Sequence, residues 1–329
     1  MEKRTSNKSS LAQIAALLND AGSVLIFPHL QMDGDTLGSS VALCSALRKQ
    51  GKIAYVLIED EIPGILRFLD NGYCTAEYSG MEADVCIALD CSDWMRLEKR
   101  QEAFNNGKQT VLLDHHATSQ PSFAEYWYVD KEASSTGEIL FMLLKEMGVV
   151  LDAEIAEAIY TAILTDTGSF IYSNTSASTH MTVAELYKTG MDHNKIAVEV
   201  YQRKRLEKVK LFIAILNTME MICGGKANLA VMTQQMLAET GALPAETDGL
   251  VEELRSIDGV EISAFLREEE GKVRVTMRSK TKADVSRIAL KFAGGGHTKA
   301  AGCTIPGTIE EVKPFIIEAI CEELDSIEG

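Results

Sequence analysis

The sequence predicts an α/β protein: an N-terminal domain with a mainly parallel sheet flanked by helices, plus a smaller C-terminal α+β domain, joined by a helical connector. Three observations predict it. A chain of 329 residues is too long for one small core. In the first half, short and almost wholly apolar runs alternate with helical periodicity, as expected of parallel strands covered on both faces. After Cys223-Gly-Gly-Lys the pattern restarts with alternating strands and short helices. The boundaries follow as 11–192, 193–222 for the connector, and 223–329.

Taken in order, VLIFP (24–28) is the first strand, and a helix runs from about Thr36 to Gln50. IAYVLI (53–58), VCIALD (85–90) and TVLLD (110–114) are further strands, the last two ending in aspartate. STGEILFMLLKEMG is a helix stopped at Gly148, and AEIAEAIYTAILTDTG is a second, with Asp166 near its end. SASTHMTVAELYKTG is a third. The charged stretch from Asn194 to Met221, with QRKRLEKVK at its middle, reads as the helical connector or equally as a solvated helix face. NLAVMT, VEISAFLRE and KVRVTMRSK are strands, the last two joined by a turn near Glu270-Gly271. TDGLVEELRSI and DVSRIALKFA are helices, GGGHTKAAGCTI follows, and TIEEVKPFIIEAICEELDSI closes the chain as a helix.

Composition bounds the function. A formal net charge of −16 argues against a sequence-independent nucleic-acid binder, which needs a basic footprint, but not against an anionic substrate held locally. Seven cysteines, an odd number without a CxxC, are expected to be buried free thiols of a reducing compartment. No apolar run approaches the ~18 residues of a membrane span. No apolar signal segment follows MEKRTSNKSS, so the expected location is the cytoplasm, without a membrane partner. No GxxxxGK[ST] occurs, so ATP is not an expected partner.

One histidine and two aspartates gather in HLQMDGDTLGSS, directly after the first strand. Alone, DGD would be a turn, and Asp35 a cap for the helix beginning near Thr36. The rest of the chain supplies partners: Asp90, Asp114-His115-His116 and Asp166. His29, Asp90 and Asp114 fall at strand C-termini, where open α/β sheets bind ligands. Carboxylates and imidazoles brought to one edge would repel and desolvate one another unless cations lay between them. Mixed His/Asp ligation suits Mn²⁺ or a similar divalent ion, and a pair of such ions can activate a water to attack phosphorus. From Lys272 to Lys291 there are seven basic residues against one acidic, Asp284, a local reversal that suits a phosphate-binding face or simply solvated surfaces. His180 reads as a capping or packing residue and His193 as an exposed turn.

HxxxDGDxxGS, an aspartate closing a strand, DHH and a late aspartate together resemble the DHH phosphoesterases, and GGGHxxAAG resembles their associated C-terminal domain. The likeness spans residues 11–325 and is greatest to the stand-alone nano-RNase / 3′-phosphoadenosine-5′-phosphate (pAp) phosphatase group. The resemblance implies that His29 and Asp33 hold one divalent cation, Asp35, His115 and Asp166 a second, and that Asp90 bridges them. It implies Mn²⁺, with Mg²⁺ as an alternative. Asp114 would orient a histidine or the loop, and His116 would touch the scissile phosphate. Arg278, Ser279, Gly294, Gly295, Gly296 and His297 would receive the far part of the substrate, the glycines letting backbone N–H groups approach phosphate at a helix start. The implied activity is hydrolysis of short nucleotides (nano-RNA, linear or cyclic dinucleotides, pAp) in the cleft between the domains, with a homodimer compatible. The chain departs from the family at Gln31-Met32, where Asn-Pro is common; loss of the proline is expected to loosen the loop. Two rivals remain: an inorganic pyrophosphatase-like hydrolase, against which GGGH and the arginine-serine pair argue, and a non-catalytic nucleotide-binding module, which degenerate ligands would mark.

Overall fold

The computed structural model describes residues 6–328 apart from 79, 81 and 248, in two compact units, Met1–Arg203 and Lys204–Gly329. The first contains β1 (Asn7–Lys8), α1 (Leu11–Asp20), β2 (Ser23–Pro28), α2 (Gly34–Lys49), β3 (Ile53–Leu57), β4 (Cys74–Thr75), β5 (Val85–Leu89), α3 (Gln101–Asn105), β6 (Gln109–Asp114) and β7 (Tyr126–Val129). It ends with α4 (Thr136–Glu146), α5 (Ala153–Asp166), α6 (Ala177–Tyr187) and α7 (His193–Tyr201). The second contains α8 (Leu206–Leu216), β8 (Glu220–Ile222), β9 (Ala227–Met232), α9 (Gln234–Thr240), α10 (Leu250–Ser256), β10 (Ile262–Glu269) and β11 (Lys272–Ser279). It closes with α11 (Val285–Lys291), β12 (Gly295–His297), β13 (Ala300–Pro306) and α12 (Ile309–Glu328).

All seven strands of the first sheet are parallel, in the order β1-β7-β6-β5-β2-β3-β4. Its strands are apolar throughout because both faces are covered. Val24, Ile26, Ile87 and Val111 pack under α1, α2, α4 and α5, while Leu25, Phe27, Ala88 and Leu112 pack on Leu97, Ala103 and Phe104. The order sets β2, β5 and β6 side by side, so His29, Asp90 and Asp114 leave adjacent strands at one edge. Helix α2 is buried from Gly34 to Leu47, and it meets α5 closely: a Cβ added at Gly38 would lie 2.5 Å from the Ala158 carbonyl oxygen.

The second sheet is mixed, in the order β12-β13-β11-β10-β9-β8, with β9 and β10 parallel and the other pairs antiparallel. Helices α11 and α12 cover one face through Val285, Ile288, Val312 and Ile316. On the other face α8, α9 and α10 cover β9 and β10 through Leu211, Leu237, Leu250 and Leu254.

The structure corrects several expectations. The stretch 193–222 is not one connector helix: α7 lies in the first unit and α8 in the second, with residues 202–205 between them and β8 after them. Cys223 and Cys321 are not free thiols but a disulfide, because the turn after β8 packs on α12; the other five cysteines are free. The glycine triplet does not open a helix but leads from α11 into the β12–β13 hairpin. Strands β1, β4 and β7 have no counterpart in the sequence reading. The helix expected from TDGLVEELRSI begins at Leu250, and Asp248 lies outside the described residues. His193 opens α7 rather than a turn, and His180 packs against Phe170, ring centroids 5.4 Å apart. Among the described residues, no helix is long and apolar enough to cross a membrane.

Candidate metal centre

The edge above β2, β5 and β6 gathers two groups of potential ligands, His29–Asp33–Asp90 and Asp35–His115–Asp166; within each group the ligand atoms lie within 4.8 Å of one another. Asp90 also stands close to His115 and His116, so among the described residues it is the carboxylate that reaches both sets. The aspartates of the first motif have different local tasks. Asp33 is the N-cap of α2, its side chain accepting from the Asp35 and Thr36 amides, and remains half exposed. Asp35 is 1% exposed and points inward from the first turn. Asp90 has φ 58°, a left-handed conformation that a non-glycine residue seldom adopts.

The separations are those of a ligand set. His115 Nε2 lies 3.7 Å from Asp35 Oδ2 and 3.6 Å from both Asp90 Oδ1 and Asp166 Oδ2. His29 Nε2 lies 3.5 Å from both Asp33 Oδ2 and Asp90 Oδ2. These distances exceed a hydrogen bond. They are near the ~3–3.6 Å edge of a coordination shell with bonds of ~2.1 Å. Electrostatics agrees. Burial, and then Asp90, Asp166 and Asp33, push the Asp35 carboxyl well above its usual value. Burial, with Asp90 and Asp33, pushes Asp166 up to about 6, against His115 and His116. Burial works to lower the pKa of His29, yet the flanking carboxylates of Asp33 and Asp90 prevail and hold it at about 9. A cation among these groups would relieve the repulsion, so the donor set fits divalent ions.

Asp114 stands behind this set. Its Oδ1 accepts from the His115 and His116 amides and lies 2.8 Å from His116 Nδ1, which fixes the turn and the ring. His116 is raised above its usual value by that carboxylate first, and its side chain is 41% exposed.

One segment that the sequence reading did not single out reaches most of the cluster. The Thr136 and Gly137 amides, at the start of α4, donate to the two oxygens of Asp35 at 2.7 and 2.9 Å, and Thr136 Oγ1 donates to Asp90. The Ala133 carbonyl faces His115 Nδ1, and Asn174 Nδ2 ties the Ser134 carbonyl to Asp166. Buried Glu138 pins the segment by accepting from the Ser134 amide and from the hydroxyls of Ser134, Ser178 and Thr179. The available signal was SSTGE, a run of small and hydroxyl residues at a helix start. Gln31 and Met32 do not leave the first loop untethered: Met32 is buried in the core and the Gln31 amide donates to Asp60.

In the second unit, Arg274, Thr276, Arg278 and Gly294 to Gly296 line an open trough of about 650 Å³. A Cβ at Gly294 would clash with the Gly302 carbonyl, and one at Gly296 with that of Ala300, so the hairpin requires both glycines. A Cβ at Gly295 would meet nothing within 4 Å; its bare backbone faces the trough. Arg278 borders the trough while donating to Glu252 at 2.9 Å. His297 is exposed at the hairpin end, beside the lining rather than in it. Ser279 is not on this surface: it is 1% exposed, and its hydroxyl donates to the Ala283 carbonyl, holding the turn.

The model for the DHH family N-terminal domain matches residues 23–163, and that for the DHHA1 domain matches residues 228–326. The chain is 32% identical to the bifunctional oligoribonuclease and PAP phosphatase NrnA of Thermus thermophilus, over 92% of this chain and 90% of that protein. It is 28% identical to its namesake in Bacillus subtilis, over 92% and 95%. Among solved structures, an exopolyphosphatase-related protein from Bacteroides fragilis superposes with a TM-score of 0.88 at 27% identity, covering 97% of each chain. The exonuclease RecJ bound to manganese, at 15% identity and a TM-score of 0.56, shares the fold.

Proposed function

The chain belongs to the DHH family and is a metal-dependent nucleotide phosphoesterase, and on that premise we propose that it hydrolyses short oligoribonucleotides, linear dinucleotides and pAp in the cytoplasm. The observation that carries this reading is the pair of ligand groups at the carboxyl edge of the parallel sheet, with Asp90 a member of the first and 3.6 Å from His115 of the second. In this reading His29 and Asp33 hold one divalent cation, Asp35, His115 and Asp166 a second, and Asp90 both, with Mn²⁺ as the working ion. Bound there, the cations would supply Lewis-acid activation of water and neutralise phosphoryl oxygens.

The protein's own groups do the rest. The Thr136 and Gly137 amides and the Asn174 amide fix Asp35 and Asp166, so the carboxylates need no rearrangement when charge develops. Asp114 holds the His116 ring, and its carboxylate favours the protonated imidazole, keeping a proton available for a phosphoryl or leaving oxygen. The trough of the second unit, bordered by Arg278 and the bare backbone of Gly295, receives another phosphate of the substrate.

The test is a substrate panel with Mn²⁺ and Mg²⁺: pAp, di- to pentanucleotides, cyclic di-AMP and pyrophosphate, with products separated by chromatography. Mononucleotide release from dinucleotides is expected to exceed phosphate release from pyrophosphate. Asp90→Asn should lower kcat by about 10²-fold or more with the melting temperature of the metal-free protein retained. Faster turnover of pyrophosphate, or full activity of D90N, would overturn the assignment.

A further inference from the structure

We propose that Arg274 forms a phosphate subsite of its own on the C-terminal sheet, apart from Arg278, which takes a third phosphate of an oligonucleotide. The proposal deepens the nucleotide-hydrolase reading and rests on it. Side chains alternate along β11, so Arg274, Thr276 and Arg278 share the face away from α11 and α12. Helices α8 to α10 cover that face over β9 and β10, and α10 also meets β11, where Glu252 pairs with Arg278; over β13, β12 and the Arg274 part of β11 it is the open trough.

The register arranges the trough in rows. Arg278 lies opposite Ala300, which lies opposite His297; Thr276 lies opposite Gly302, which lies opposite Gly295; Arg274 lies opposite Thr304. The two arginines are four residues apart on one strand, or ~13 Å. Between them no side chain is larger than threonine, so a sugar-phosphate chain can lie along the floor.

Their electrostatic states differ. The Arg278 guanidinium donates to Glu252 and to the Met277 carbonyl. Among the described residues, no carboxylate stands within ion-pair distance of Arg274, in a chain with 48 acidic residues to 32 basic. Its partner across β10 is another arginine, Arg267, a like-charged pair that destabilises a sheet. Arg267 reaches instead toward Glu269 and Thr247, leaving the Arg274 charge without a counterion. An arginine fork accepts a phosphate in two parallel hydrogen bonds. With glycine and threonine between the rows, and no aromatic ring, the subsite reads backbone and therefore length, not sequence.

A 5′-phosphorylated dinucleotide carries two phosphates and a 5′-phosphorylated trinucleotide three, so the two substrates separate the subsites. Arg274→Ala should raise KM for the trinucleotide about tenfold, leave that for the dinucleotide within about twofold, and leave kcat unchanged, with partial recovery in Arg274→Lys. Binding of a labelled trinucleotide in EDTA, followed by anisotropy, should lose about 0.7 from its slope of log affinity against log salt. An equal KM rise on both substrates, or no change in the trinucleotide's KM and salt slope, would overturn the proposal. If the wild type hydrolyses neither substrate, the functional reading fails, and the EDTA titration alone then decides the subsite.

Discussion

At the metal centre the pH dependence has a definite sign. Asp166 is pushed from its ordinary 3.8 to about 6, so ionising it weakens the metal-free fold as pH rises between those values. His29 is raised from 6.5 to about 9 by Asp33 and Asp90 against the effect of burial; that contribution is complete below 6.5 and is lost as pH rises through 9. Both effects make the metal-free protein less stable toward alkaline pH. A cation acts in the opposite sense, because it must displace the proton from His29 and from the carboxyl of Asp35 before it binds. The gain in melting temperature on replacing EDTA by Mn²⁺ should therefore grow from about pH 5.5 to 8.5, and calorimetry at about pH 7 in buffers of different ionisation enthalpy should show proton release. A gain independent of pH, with no protons released, would mean that the clustered residues are not the ligands.

Between elements, the centre depends on how closely α2 and α5 approach, since the first carries Asp35 and the second Asp166. Gly38 lies against the Ala158 carbonyl, and a Cβ at Gly34 would fall 2.3 Å from Thr165 Oγ1. Gly38→Val must separate the helices, at about 1–3 kcal/mol of stability. Mn²⁺ affinity should also drop, by about tenfold, the order of effect that displaced supporting groups have at metal sites. Thermal melts with isothermal titration separate the two effects; a lower melting temperature with unchanged affinity would make the contact purely structural. Much of this was legible in the sequence, because a parallel strand buried on both faces is a bare apolar run whose end marks the sheet edge, and His29, Asp90 and His115 directly follow such ends, whereas Asp33, Asp35 and Asp166 stand at helix ends. The supporting groups were not legible. The Thr136 and Gly137 amides are backbone, and the Asn174 side chain carries no signature apart from its contacts. Two-residue strands such as β1 and β4 are too short for periodicity, and the Cys223–Cys321 bond joins positions 98 residues apart.

For the molecule as a whole, the net charge of −16 decides how substrate length acts. Each phosphate of a bound oligonucleotide gains where it meets a cation and loses where it lies over acidic surface. The centre and the trough offer few phosphate contacts, Arg278 and Arg274 among them. On the proposed reading, phosphates beyond the third meet the negative field of the protein, which reaches ~30 Å at 0.01 M salt but only ~8 Å at 0.15 M. Polymer binders show the opposite arrangement, a basic footprint whose affinity falls steeply with salt. Catalytic efficiency should thus rise from di- to trinucleotide and then fall toward a single strand of about 24 nucleotides, with the long strand's disadvantage shrinking as salt is raised. Initial rates for the three lengths at the two salt concentrations measure this directly. A long strand degraded as fast as the dinucleotide at low salt would require a cationic path that the charge distribution does not provide, and the short-substrate reading would fall with it.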